Sequence, residues 1–176
     1  MSITIRKATA ADLDAVSGIY GRIHDEIETG RASIGWLRDV YPTRATAEAA
    51  LARDDLFVEE QDGYVVGTAI LNQTQVDAYF GAPWEHDVPE DEIMVLHTLV
   101  IDPRCKGTGL GREFEAYYER YALSHGCRAL RIDTNARNTV ARSFYRKLGY
   151  REIAVVPVTF NGIPGVDLVL LEKYLG

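Results

Sequence analysis

The stretch that decides the fold is Ile93-Met94-Val95-Leu96-His97-Thr98-Leu99-Val100-Ile101-Asp102-Pro103, followed by Arg104-Cys105-Lys106-Gly107-Thr108-Gly109-Leu110-Gly111-Arg112. Its first nine residues are nearly all apolar, which predicts a central strand buried on both faces. Apolar residues then recur at helical spacing from about Gly109 to His125, and residues 129–133 again have the pattern of a strand. This region therefore predicts a β-α-β unit with a glycine-rich turn after its first strand.

The glycine-rich turn indicates a phosphate site. Gly107, Gly109 and Gly111 let the backbone turn with its N–H groups pointing into one concavity, and the helix that follows adds partial positive charge there. A pyrophosphate is the natural occupant of such a concavity. Lys106 and Arg112, together with the backbone of Thr108 and Leu110, complete the predicted cradle. The glycine spacing fits neither a Walker loop nor a dinucleotide-binding fingerprint.

Outside this unit, the pattern predicts two hairpins, with turns at Asp62-Gly63 and Asn161-Gly162. Helical spacing is found after Thr9, at residues 43–52 and at residues 138–148. The order of elements is βαα-ββ-βαβα-ββ, which predicts an α/β (α+β) fold with a mixed sheet.

Length and composition limit the class of protein. The 176 residues, with a formal net charge of −7, suit one domain over residues 1–176 and argue against a nucleic-acid-binding protein. The two cysteines form no CxxC or Cys/His cluster, so we expect no metal site and a reducing compartment. The N-terminus lacks the apolar run of a signal peptide and no window is apolar enough to span a membrane, so we expect a cytoplasmic protein with no membrane partner.

A second motif follows: Asn138-x-x-Ala141-x-x-Phe144-Tyr145-x-x-x-Gly149-Tyr150. Asn138, Ala141 and Tyr145 share one helix face. With this motif, Lys106-Gly107-Thr108-Gly109-Leu110-Gly111 resembles the [Arg/Gln]-x-x-Gly-x-[Gly/Ala] signature of the GNAT superfamily of acetyl-CoA-dependent N-acetyltransferases. Lys106 takes the Arg/Gln position, and Arg104-x-x-Gly107-x-Gly109 also fits the formula. The resemblance covers residues 93–150.

The resemblance implies a GNAT-like, mixed and mostly antiparallel central sheet of six to seven strands flanked by about four helices. It also implies a V-shaped splay between the strands at 93–101 and 129–133, with acetyl-CoA as cosubstrate. Backbone groups of Leu99, Val100 and Ile101 would pair with the pantetheine arm. The pyrophosphate would bind residues 106–112, and Asn138 and Tyr145 would line the cofactor channel.

For the chemistry, the resemblance implies direct attack by the amine in a ternary complex, with Tyr145 protonating the departing thiolate. His97 is the leading candidate for the base, and Glu92, at the start of the same strand, is the alternative. Either residue could act through a water molecule, and water alone is the third alternative. We expect His97 to share a sheet face with Leu99 and Ile101. Tyr145 and His97 could instead be ordinary core residues.

The acceptor is not encoded in a recognisable motif. Trp36, Tyr41, Tyr79 and Trp84 either line an acceptor pocket or pack the loops. We expect transfer to a primary amine of a small molecule. The alternatives are a protein or peptide N-acetyltransferase and a non-catalytic acyl-CoA sensor. The terminal hairpin and the aromatic loops leave a homodimer open.

Overall fold

The computed structural model describes residues 2–176. Seven strands form one sheet: β1 (Ile3–Lys7), β2 (Leu56–Gln61), β3 (Tyr64–Asn72), β4 (Ile93–Ile101), β5 (Ala129–Asn135), β6 (Arg151–Phe160) and β7 (Ile163–Tyr174). Four α-helices flank the sheet: α1 (Leu13–Glu28), α2 (Arg44–Ala52), α3 (Leu110–Ser124) and α4 (Thr139–Lys147). The strand order is β1-β2-β3-β4-β5-β7-β6, and within residues 2–176 only β4 and β5 run parallel. The predicted mixed, mostly antiparallel sheet is confirmed.

The two predicted hairpin turns lie where the sequence places them. Asp62-Gly63 joins β2 to β3, and Asn161-Gly162 joins β6 to β7. Both residues of each turn have positive φ, 52° and 83° in the first and 52° and 78° in the second. This is the backbone of a two-residue hairpin turn, which Asn-Gly and Asp-Gly adopt at low cost.

The helices cover the two faces of the sheet. One face packs against α1 and α2, through a core that includes Val16, Ile19 and Ala50. The other packs against α3 and α4, through a core that includes Phe114 and Tyr118. On the first face, beyond α1 and α2, the loop of residues 73–92 covers β4, β5 and β7. None of the helices in residues 2–176 has the length and apolarity needed to cross a membrane.

The sheet opens between β4 and β5, as predicted. Their ladder contains only the pairs Ile93–Ala129, Met94–Leu130 and Val95–Arg131, although both strands continue beyond it. The later residues of β4 pair only with β3 on the other side. The strands therefore separate after Val95, and a V-shaped cleft forms with one unpaired edge of β4 facing it.

A β-bulge in β4 changes which side chains face the cleft. Ile70 pairs with His97 but Thr68 pairs with Val100, so β4 holds one extra residue here, and Thr98 has φ of 53°. The bulge reverses the alternation of side chains after it. His97 therefore lies on the face of α1 and α2, whereas Leu99 and Ile101 pack toward the core under α3. The prediction that residues 97, 99 and 101 share one face is wrong.

Candidate active site

The glycine-rich turn forms a cradle at the start of α3. A short 3-10 turn, Pro103–Cys105, leads into Gly107 and Gly109, whose φ values are 78° and 86°. The Thr108 hydroxyl donates to the Cys105 carbonyl at 2.6 Å and closes the loop on itself. Residues 105–112 line the concave surface that follows. The positive φ values turn the backbone N–H groups of this loop toward the concave surface, where they can donate to a pyrophosphate. The N-terminus of the fifteen-residue helix α3 adds partial positive charge at the same place.

A buried carboxylate braces this cradle from below. Asp102 is 1% exposed and accepts hydrogen bonds from the guanidinium groups of Arg22 on α1, at 2.9 Å, and of Arg104, at 2.8 Å. Its Oδ1 also accepts the backbone N–H of Arg104 at 3.0 Å. Burial alone would raise the pKa of Asp102, but these hydrogen bonds outweigh it and lower the pKa to about 2. Asp102 therefore stays ionised and ties α1 to the cradle.

A groove of about 900 Å³ runs from the cradle to the splay. All seven of the cradle residues predicted from the sequence line it: Lys106, Gly107, Thr108, Gly109, Leu110, Gly111 and Arg112. So do Leu99, Ile101, Asn138 and Tyr145. Asn138 caps α4, because its Oδ1 accepts the N–H of Ala141 at 3.1 Å, which leaves its amide NH₂ as a donor. The Val100 side chain does not reach the groove and packs against the α1 and α2 core.

A second, smaller cavity of about 150 Å³ lies at the open end of the splay. It is lined by aromatic residues, Trp36, Tyr41 and Phe160, and by His97 and Asp133. The Tyr41 hydroxyl hydrogen-bonds to Thr98 at the bulge, so the segment of residues 31–42 closes over β4. Gly35 lies so close to β5 that an added Cβ would come within 2.4 Å of the Asn135 side chain. The groove and the cavity share Ile34, Leu99, Asn138, Ala141 and Tyr145.

Tyr145 stands at the junction of the two spaces. It is 7% exposed and packs edge-on against Phe144 and Tyr150. Its hydroxyl makes no hydrogen bond to any group in residues 2–176, although it faces both spaces. Burial, with the nearby charges of Glu115 and Asp133, raises the pKa of Tyr145 well above its ordinary value. The phenol is therefore protonated at neutral pH and free to donate to a ligand.

His97 is held in a network away from the cradle. Its Nε2 lies 2.8 Å from Asn72 Oδ1, which also accepts the N–H of Thr74 at 3.0 Å. Asn72 donates to Asp55 through Nδ2, at 2.9 Å, so its oxygen faces His97 and the imidazole Nε2 must be the donor. Burial lowers the pKa of His97 to about 4, the charge of Arg53 adding to this and that of Asp55 opposing it. The imidazole is therefore neutral throughout the physiological range.

The structure does not bring Glu92 to the cleft. Glu92 belongs to a 3-10 turn before β4, at the end where β4 is still paired with β5. It is five positions from His97, which corresponds to roughly 16 Å along a strand. Tyr79 and Trp84 also stand behind the cavity rather than in its wall. Tyr79 reaches the site through Asp133, and Trp84 packs on Tyr79 with its Nε1 donating to the Tyr79 carbonyl.

Asp133 is the site residue that the sequence reasoning missed. It lies on β5 two residues beyond the last pair with β4, on the same face as His97. Tyr79 donates its hydroxyl to Asp133 Oδ2 at 2.7 Å. Burial raises the pKa of Asp133 to about 6, while the Tyr79 hydrogen bond acts in the opposite direction. The alternation of Arg131, Asp133 and Asn135 with Leu130 and Ile132 was the available signal.

Comparison with known proteins decides the family. The family model described as "Acetyltransferase (GNAT) family" matches residues 23–150, more than half of the chain. The chain belongs to the GNAT acetyltransferase family. It is an acetyl-CoA-dependent N-acetyltransferase, as the resemblance implied.

Individual relatives agree with this GNAT assignment. An uncharacterized N-acetyltransferase of Methanocaldococcus jannaschii is 25% identical over 174 residues, which cover 96% of this chain and 90% of that protein. A mycothiol acetyltransferase of Cellulomonas flavigena is 31% identical over 96 residues, but these are 54% of this chain and only 26% of that longer protein. The match to the second protein is therefore confined to part of each chain.

Solved GNAT structures share the fold. A GNAT-family acetyltransferase from Streptococcus agalactiae 2603 superposes with a TM-score of 0.82 at 22% identity, covering 98% of this chain and 95% of that one. The structure of yncA from Salmonella typhimurium with its cofactor acetyl-CoA superposes with a TM-score of 0.68 at 20% identity, covering 100% of this chain and 95% of that one. At these identities the likeness concerns the fold.

Proposed function

We propose that this GNAT enzyme transfers the acetyl group of acetyl-CoA directly to the primary amine of a small molecule. The observation that carries the proposal is the junction at Leu99 and Tyr145, where the large groove meets the small cavity. A donor in the groove and an acceptor in the cavity would meet there without an enzyme nucleophile between them. Both substrates are then bound at once, in a ternary complex.

Each part of acetyl-CoA has a matching surface in the groove. Its pyrophosphate lies on the N–H groups of the cradle, with Lys106 and Arg112 at the rim. Its pantetheine arm runs along the edge of β4 that has no β5 partner, so that Leu99, Val100 and Ile101 offer backbone groups as to an added strand. The bulge at Thr98 turns the backbone at the point where the thioester carbonyl would accept an N–H.

Tyr145 serves as the acid of the reaction. The amine nitrogen forms a bond to the thioester carbon, and the carbon–sulfur bond then breaks. The sulfur leaves as a thiolate and takes the proton of the Tyr145 phenol, which has no other hydrogen-bond partner in residues 2–176. The proton that the nitrogen loses as the amide forms then restores the phenol. A phenol with a raised pKa is protonated when the thiolate departs, as this role requires.

The proton that the ammonium group must lose before the attack needs a different acceptor. An aliphatic ammonium has a pKa near 10.4 and must be deprotonated before attack. His97 lines the cavity, but a base whose pKa is about 4 is poorly matched to a reaction near neutral pH. Glu92 lies at the opposite end of the strand. We therefore assign His97 to the wall of the acceptor cavity and leave Glu92 out of the reaction.

The closed shape of the acceptor side favours small acceptors over proteins. Tyr41 bridges to Thr98, and Gly35 lies against Asn135, so the segment 31–42 narrows the space over β4 to a cavity of about 150 Å³. A polypeptide acceptor would need several of its residues accommodated along the surface. The Tyr145 hydroxyl at the junction has no hydrogen-bond partner in residues 2–176 and is available as an acid. This favours an enzyme over a non-catalytic acyl-CoA sensor.

Release of the CoA thiol, measured over a panel of small amines and N-terminal peptides, tests the proposal. We expect release that depends on small primary amines, with peptides inactive. Turnover of peptides with inert small amines would replace the proposal with protein acetylation. Tight binding of acetyl-CoA by calorimetry, with no release under any acceptor, would replace it with a sensor.

A further inference from the structure

The acceptor cavity contains a single carboxylate, Asp133, and no lysine or arginine to neutralise it. Its titratable lining residues are Tyr41, His97, Asp133 and Tyr145. No lysine or arginine lines the cavity, and Asp133 forms no ion pair with any of residues 2–176. Its Oδ2 accepts the Tyr79 hydroxyl, and its Oδ1 accepts no hydrogen bond within the same residues. A partly buried carboxylate without a cation is costly, and binding a cationic ligand would remove that cost.

The position of Asp133 suits a ligand that is about to react. Val95 and Arg131 are the last paired residues of β4 and β5. His97 and Asp133 are each two residues further on, and both lie on the face that carries Ile70 and Leu170. They would be cross-strand neighbours if the strands had stayed together. An amine in the gap therefore lies between them and next to the junction at Tyr145.

We propose that Asp133 binds the ammonium group of the acceptor, and that the acceptor is a compact primary amine with an apolar or aromatic body and no carboxylate beside its nitrogen. The inference rests on the proposed function and names its substrate class. Within the reaction, one ammonium N–H bond breaks and its proton passes to the carboxylate, which later releases it to water. The amine nitrogen is then free to attack the thioester.

The rest of the cavity wall defines the body of the acceptor. Trp36, Tyr41 and Phe160 contribute aromatic rings, and Ile163 and Leu168 contribute aliphatic surface, while Thr98, Thr134, Asn135 and Asn161 contribute uncharged polar groups. The volume is about 150 Å³, which is enough space for one ring of the size of benzene. A free amino acid would place its carboxylate in this space with no cation to receive it and with Asp133 nearby, which disfavours that class.

The groups around Asp133 set its response to pH. Tyr79 faces it from the 3-10 turn Asp77–Tyr79, Tyr41 from the segment 31–42, Tyr145 from α4 and His97 from β4. Arg131 precedes it on the same face of β5, but its guanidinium lies over the Trp84 ring. The partner of Asp133 on β7 is the apolar Leu170.

The test compares Asp133→Asn with the wild type on two acceptors of similar size. Benzylamine is a cation at pH 7.5, whereas phenylhydrazine is largely uncharged. We expect Asp133→Asn to lower kcat/KM for benzylamine by about 30- to 1,000-fold, as when one partner of a buried charge pair is removed, and to change that for phenylhydrazine by less than about threefold. The affinity for acetyl-CoA should not change. Asp77→Asn removes an exposed charge from the turn that carries Tyr79 and should behave as wild type on both acceptors.

Other outcomes would overturn the inference. An equal loss for benzylamine and phenylhydrazine would make Asp133 a structural residue. Phenylglycine is benzylamine with a carboxylate beside its nitrogen. If the wild type acetylates phenylglycine at a rate near that of benzylamine, the proposed substrate class is wrong. If Asp133→Asn does not fold, the phenylglycine comparison in the wild type still decides the class. Turnover of peptides alone would mark failure of the proposed function itself.

Discussion

The cradle and the smaller cavity of this enzyme are built in opposite ways. The cradle is formed by consecutive residues, 103–112, and its donors are backbone N–H groups exposed by glycine conformations. The cavity collects side chains from segments far apart in the chain, including Trp36, His97, Asp133 and Phe160. A site made of backbone depends on local conformation, and one made of side chains depends on how the whole sheet packs. Substitutions in the two regions should therefore affect different substrates.

The largest expected effect is at the junction that belongs to both regions. Tyr145→Phe removes the phenolic proton without changing the packing against Tyr150. We expect kcat to fall by about 100- to 10,000-fold while acetyl-CoA binds as before, because a positioned acid acts on the transition state. Pre-steady-state release of thiol and calorimetry measure the two quantities. Tyr64→Phe, at an exposed tyrosine remote from the cleft, is the control. An equal loss of binding and turnover would mean that Tyr145 is structural.

The next largest effect should be confined to the cradle. Gly109→Glu places a negative side chain at a residue with φ of 86° whose Cβ would meet only open space. We expect acetyl-CoA binding to weaken on the order of 100-fold or more, because like charges placed together cost several kcal/mol. Gly109→Ala carries the same backbone strain without the charge and should lose less. Equal losses in the two variants would show that strain, and not phosphate binding, explains the glycine.

A smaller effect is expected from the brace beneath the cradle. Asp102→Asn replaces the carboxylate that joins Arg22 to Arg104. Because the pKa of Asp102 is about 2, these ion pairs persist at every pH above about 4 and are lost only as the pH falls toward 2. We expect the free energy of unfolding to fall by about 1.5–3 kcal/mol, measured by urea titration at pH 7. Asp14→Asn, at an exposed pair with Arg44, should cost about 0–1 kcal/mol. An equal loss of unfolding free energy in the two variants would show that the buried ion pairs of Asp102 stabilise the protein no more than an exposed pair does.

The smallest expected effect is a change in the pKa of Asp133 in the cavity. The Tyr79 hydroxyl lowers the pKa of Asp133, so Tyr79→Phe should raise that pKa. Protonated Asp133 cannot bind an ammonium group, so activity falls as the pH drops through about 6, and Tyr79→Phe should move this limb upward by about one pH unit. The profile of kcat/KM against pH measures the shift. His97→Ala should leave the limb in place, because the pKa of His97 is about 4. If His97→Ala shifts the acidic limb and Tyr79→Phe does not, His97 and not Asp133 is the base.

The cradle and the fold could be predicted because their signals are local. Gly107 and Gly109 mark a turn before a helix, and Asp62-Gly63 and Asn161-Gly162 mark hairpins, so neighbouring residues carry all the information needed. The separation of β4 from β5 was predicted from the resemblance to the GNAT superfamily and not from the residues of the two strands. It decides where the cleft opens.

The cavity could not be predicted to the same extent because its determinants are not local. Thr98 adopts positive φ without being glycine, so nothing in the sequence marked the bulge that separates His97 from Leu99. Asp133 becomes a site residue only because β5 diverges from β4 there. Trp36 and Tyr41 reach the cleft from a segment with no recognisable pattern, and their contacts with β4 and with each other exist only in the folded chain.

Initial-rate kinetics with acetyl-CoA and benzylamine both varied show whether the groove and the cavity are occupied at the same time. If both substrates must be bound before the acetyl group moves, we expect double-reciprocal lines that intersect. Parallel lines, together with an acetylated enzyme detected by mass spectrometry when no amine is present, would contradict this expectation.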